Sequence, residues 1–114
     1  MENKELWDTL STYIRDTESQ NKKAMKKFAV IPEWDCKTAF LQGKAITLYE
    51  VGNKMSRLNG DVTKLRKYIT REQRQNGRVY RRYSKKHSVT DPVKTGLISS
   101  GLTLKNIQAI IGEN

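Results

Sequence analysis

The residues with an evident chemistry are cations. Between Asp61 and Thr90 stand ten basic residues, Lys64, Arg66, Lys67, Arg71, Arg74, Arg78, Arg81, Arg82, Lys85 and Lys86, against two acidic ones, Asp61 and Glu72. That segment holds +8 of the chain's net +10, and the other 84 residues share the remaining +2. Most of the ten are arginines, whose planar guanidinium forks onto phosphate oxygens, while the lysines act as mobile point charges. Tyr80 and Tyr83 alternate with Arg81, Arg82, Lys85 and Lys86. Rings in such company stack on exposed bases or pack a hinge. The chemistry on offer is recognition of a polyanion, and a nucleic-acid backbone is the polyanion that such a run fits best.

Other chemistries lack their parts. The chain has one cysteine, Cys36, and one histidine, His87, so no zinc cluster and no internal disulfide is available. Cys36 reads as a small core residue. A hydrolase built on His87 alone would have neither a partnered nucleophile nor an orienting acid beside it. Glu33 and Asp35 read as a helix cap and a dipole partner rather than metal ligands. Gly96 and Gly101 flank LISS without the spacing or the lysine of a phosphate-binding glycine loop. No enzyme, cofactor or metal is expected.

The elements that must position the cations can be read from periodicity. If residues 61 to 76 are helical, Lys64, Lys67, Arg71, Arg74 and Arg78 fall within about 80° of one another, and Leu58, Val62, Leu65 and Ile69 gather opposite. Asn59-Gly60-Asp61 predicts the stop of one helix and the cap of the next. Asn76-Gly77 reads as a second stop, after which GRVYRRYSKKHS is open to three readings: a strand, an extended arm, or further helix. Upstream, Leu6, Leu10, Tyr13, Ile14, Met25 and Phe28 recur at helical steps, predicting a long amphipathic helix over 2–28 that ends in Lys22, Lys23, Lys26 and Lys27. Those four lysines read as a solvated helix end favoured by the dipole, with a second phosphate contact as the alternative. Pro32 breaks that pattern, Ile31 and Trp34 are expected to fold back on the core, and Asp35 caps the next helix.

In 36–58, Phe40, Leu41, Leu48, Val51, Met55 and Leu58 share one face while Ile46 and Tyr49 form a second apolar patch, a pattern expected of a central helix. Gly43 and Gly52 inside it predict close helix crossings. Asp91-Pro92 starts another helix, Gly101 is expected to end it, and Thr103 to cap a last one carrying Leu104, Ile107, Ile110 and Ile111.

The string from Gly101 to Gly112, GLTLKNIQAIIG, resembles the first helix of helix-turn-helix DNA-binding domains, in which a small polar cap, an inward aliphatic and a terminal glycine recur in this order. That resemblance makes Gly112 the turn glycine. A second alignment puts the turn at Gly101 and makes residues 103 to 111 the reading helix, with Lys105, Asn106 and Gln108 toward the bases. The density of aliphatics favours a packing helix, or one that docks a protein partner.

A chain of 114 residues is one domain by size. No apolar run reaches the roughly 18 residues needed to span a bilayer, and MENKELWD has no signal-peptide pattern, which places the protein in the cytoplasm with no membrane partner. The expected fold is all-α: a small single-domain bundle of about five helices, with 1–60 as a helical hairpin core, 61–87 as a basic helix and arm, and 88–114 as a C-terminal helix pair. The expected function is non-enzymatic nucleic-acid binding, DNA favoured over RNA, as a regulator or an accessory of replication, recombination or packaging. The alternatives are an adaptor or inhibitor whose basic face docks on an acidic surface or on the nucleic-acid channel of a larger complex, and a subunit of a ribonucleoprotein.

Overall fold

The computed structural model describes residues 3–28, 36–88 and 90–112. Four helices succeed one another, α1 Asn3–Phe28, α2 Cys36–Leu58, α3 Val62–Ser84 and α4 Pro92–Ile111, and among the described residues there is no strand. None of the helices is long and apolar enough to cross a membrane. The expectations at Ile31, Pro32, Trp34 and Asp35 lie outside the described residues.

All four helices feed one core. Leu6, Leu10 and Ile14 from α1 meet Leu48, Val51 and Met55 from α2, Val62, Leu65 and Ile69 from α3, and Leu104, Ile107 and Ile111 from α4. On the α1 side, the buried Asn21, 5% exposed, donates its amide to the Leu41 carbonyl at 2.9 Å. The expected stop before α3 is formed as read. Asn59 and Gly60 both take positive φ, at 50° and 86°, and the Asp61 carboxylate accepts from the Lys64 amide at 3.0 Å. Asp91 likewise caps α4 through the amides of Val93 and Lys94, with Pro92 in the first turn.

Two expected breaks are absent among the described residues, and the missing one at Gly101 turns the expected five helices into four. α3 passes through Asn76-Gly77, and α4 passes through Gly101, so among the described residues of 88–114 there is one helix rather than a pair. At Gly101 the contact between α3 and α4 explains the continuity, and Gly77 follows directly on the residue that makes it. The Asn76 side chain donates to the Leu97 carbonyl at 3.1 Å, and its Oδ1 lies 2.8 Å from where a Cβ on Gly101 would be. Gly101 is therefore a seat for Asn76 rather than a helix stop, and the tertiary contact outweighs the roughly 1 kcal/mol that a mid-helix glycine costs. The same device joins α2 to α4, the most extensive helix contact in the fold. A Cβ on Gly43 would collide with the Gly96 carbonyl, and Ser100 donates to the Gly43 carbonyl at 3.2 Å. Gly43 is thus a close crossing as anticipated; Gly52 meets only Ile14 and Glu18, at ordinary contact distance. The second apolar patch of α2 stays uncovered, with Ile46 57% and Tyr49 66% exposed.

Candidate nucleic-acid interface

An unbroken α3 changes the geometry of the basic segment. Lys64, Lys67, Arg71, Arg74 and Arg78 are all exposed, while Val62, Leu65 and Ile69 on the reverse side are at most 3% exposed. Continued at 100° per residue, Arg81 and Arg82 extend the same face by another turn. Seven cations then run from Lys64 to Arg82 over roughly 27 Å at 1.5 Å per residue. Lys64 lies 4.0 Å from the Asp61 carboxylate. Among the described residues, no carboxylate comes that close to Lys67, Arg71, Arg74, Arg78, Arg81 or Arg82. Along the middle of the stripe Lys67, Arg71, Arg74 and Arg78, with Arg66, Thr70 and Gln75, line an open groove of about 450 Å³. A long, unneutralised row of this kind creates a positive potential that neighbouring acids do not cancel.

Not every basic residue of the segment joins the row. Arg66 is half-buried and donates from its guanidinium to the Ile111 carbonyl at 3.1 Å. It satisfies the carbonyl end of α4, where a cation also meets the favourable end of the helix dipole. Lys85 and Lys86 come just after the last turn of α3 and are exposed.

The tyrosines lie elsewhere. On a continuous helix Tyr80 and Tyr83 point roughly 140–160° away from the centre of the stripe, toward α4. The Tyr83 hydroxyl donates to the Asp91 carboxylate at 2.9 Å, and its ring stacks on His87 with centroids 3.7 Å apart. Tyr80 is half-buried with the Lys94 ammonium 5.9 Å from its ring. His87 is held by this stack and by a 2.8 Å contact of its Nδ1 with the Tyr83 carbonyl. Of the two uses open to the tyrosines, the geometry matches the hinge: they join the end of α3 to the start of α4. There is no arm of free rings beside the cations among the described residues.

The Tyr83–Asp91 bond predicts an acid dependence. Desolvation opposes ionisation of Asp91, but the bonds from Tyr83, Val93 and Lys94 and the nearby His87 outweigh it and hold the carboxyl below its ordinary value. Burial, then the bond to Asp91, pushes Tyr83 up. A lowered carboxyl contributes stability above its ordinary value of 3.8 and loses it as pH falls through the folded value. Tyr83→Phe removes one of the bonds that lower it. The variant should therefore acid-unfold at a higher pH than the parent, and equal midpoints in an acid titration followed by circular dichroism would show the bond to be idle.

The α4 residues proposed for groove reading divide by position. Lys105 and Asn106 are exposed and Gln108 is half-buried, whereas Leu104, Ile107 and Ile111 are 4%, 0% and 3% exposed. With no turn at Gly101, residues 103 to 111 are the second half of a longer helix seated on the core.

One group of side chains was not evident from the sequence. Lys54 of α2 brings its ammonium to 5.4 Å from the Tyr68 ring, over which Arg71 also lies at 5.9 Å. Tyr68 is half-buried, and burial, with Glu72 and Glu50 adding, pushes its hydroxyl pKa up. A wheel drawn on one helix cannot show a partner on another. The signal was the tight turn at Asn59-Gly60, which folds α2 back beside α3. No group of three or more histidine, cysteine or acidic residues among the described ones is placed to hold a metal ion. Comparison with protein-family models, curated proteins and solved structures gives no match, so the reading of this face rests on its own chemistry.

Proposed function

We propose that the protein is a non-enzymatic nucleic-acid-binding protein that grips the phosphate backbone of a duplex along the outer face of α3. A role as a DNA-binding regulator or as an accessory of replication, recombination or packaging is consistent with that grip. The observation that carries the reading is the row from Lys64 to Arg82, exposed and, beyond Lys64, without a carboxylate within 4.0 Å among the described residues. Duplex is favoured over single strand because sequence-tolerant single-strand binding depends on rings open to bases. Here Tyr80 and Tyr83 face α4, and Tyr68 lies under Lys54 and Arg71. A rigid, straight helix meets a regular backbone and positions the protein without reading sequence. DNA is favoured over RNA as the working choice, and the cations themselves are indifferent to the sugar.

A gel-shift panel of single- and double-stranded DNA and RNA tests this directly. Duplex DNA shifted at the lowest protein concentration supports the reading; no shift with any nucleic acid removes it. The second reading is a protein-docking module, favoured by Ile98 and Leu102, one turn apart on α4 and 42% and 47% exposed. That reading predicts capture of a single acidic polypeptide and no bound nucleic acid after purification.

A further inference from the structure

At the end of the stripe nearest the α2–α3 turn, the row of cations gains a third dimension. Lys54 and Leu58 of α2 face Lys64, Lys67, Tyr68 and Arg71 of α3 around a pocket of about 310 Å³. Four of its six lining residues are cations and none is an acid. The ring of Tyr68 is part of the lining. It packs against the hydrophobic core, and the Lys54 ammonium and the Arg71 guanidinium lie 5.4 and 5.9 Å from its centroid, within the range of cation–π attraction. Tyr68 also lines a second groove, which contains Glu50 and Glu72 and none of the four cations. Like charges gathered this closely repel one another, and an anion between them removes that repulsion. The volume is at the lower edge of small-ligand sites, about 300 Å³, too small for a helix and large enough for a phosphate with its adjoining sugar atoms. Arginine supplies a two-pronged donor and the lysines mobile single ones, a set suited to a group with several anionic oxygens.

We propose that this pocket seats one backbone phosphate of the bound nucleic acid, and that Lys54 carries the interface from α3 onto α2. The inference rests on the nucleic-acid reading of α3 and adds to it a specific seat, which fixes where along the helix the strand is registered.

The test uses the full chain and two charge-matched variants, Lys54→Gln and Lys4→Gln, the second altering an exposed lysine on α1 outside the pocket. Binding to a duplex DNA is measured by fluorescence anisotropy over a range of salt, with circular dichroism as a check of folding. Loss of one phosphate contact should make the log-log salt slope of Lys54→Gln shallower by about 0.9, which is about eight-fold weaker binding at about 0.1 M salt. Lys4→Gln should match the parent. If the parent itself shows no salt-dependent binding, the nucleic-acid reading fails. If the parent binds steeply but the two variants are indistinguishable, the pocket is overturned while that reading stands. Inorganic phosphate titrated against the Tyr68 ring resonances separates the remaining source: saturation by free phosphate, with duplex affinity indifferent to Lys54, would also overturn the proposal.

Discussion

Replacing Arg71 and Arg74 together with glutamate is expected to weaken duplex DNA binding at least about 60-fold at about 0.1 M salt, because two contacts of about 0.9 in slope are lost. Repulsion from the new carboxylates adds to that figure. The fold should survive. Both side chains are exposed on the face opposite Leu65 and Ile69, which are 1% and 0% exposed. The introduced glutamates would also stand four residues from Lys67 and from Arg78, a spacing that stabilises a helix by about 0.2–0.5 kcal/mol per pair. Unchanged helical circular dichroism with lost binding is the expected pair of results. Unchanged binding would remove α3 from the interface.

The second large effect concerns α4, and here stability is the measured quantity. Ile107 is fully buried in the core to which all four helices contribute. Truncation to alanine should cost about 2–5 kcal/mol, from lost burial and the cavity left behind. A domain of this size has about 5–15 kcal/mol in all, so Ile107→Ala should unfold in markedly less denaturant than the parent. The triple variant with alanine at Lys105, Asn106 and Gln108 should lose less than Ile107→Ala, since Lys105 and Asn106 are exposed and the half-buried Gln108 gives up one long bond, 3.5 Å, to the Gly112 carbonyl. If the triple variant remains folded but loses discrimination between DNA sequences, α4 reads a groove and the packing account is wrong.

How much of this was visible in the chain depends on whether the determinant is local. The caps at Asp61 and Asp91 are formed by side chains within three residues of the amides they serve, so their sequence signals were sufficient. The core face of α3 was likewise carried by spacing alone. The continuity of the helices at Gly77 and Gly101 is not legible locally, because Asn76 meets α4 at a partner 21 residues away, the Leu97 carbonyl. Spacing alone leaves Tyr80 and Tyr83 open to base stacking or to a hinge, and the continuous helix turns them to Lys94 and Asp91. Arg66 looked equivalent to its neighbours until the end of α4 was placed beside it. Lys54 was silent for the same reason, since its role depends on Tyr68 across the hairpin.

The measurement closest to the central claim is the equilibrium constant for a duplex of about 20–30 base pairs as a function of monovalent salt. A row of roughly six to eight cations facing phosphates should give a linear log-log plot with a slope of roughly −5 to −7, whatever the base sequence. A slope near zero would contradict the account, because it would mean that no counterions are released and that the α3 face does not lie on the backbone.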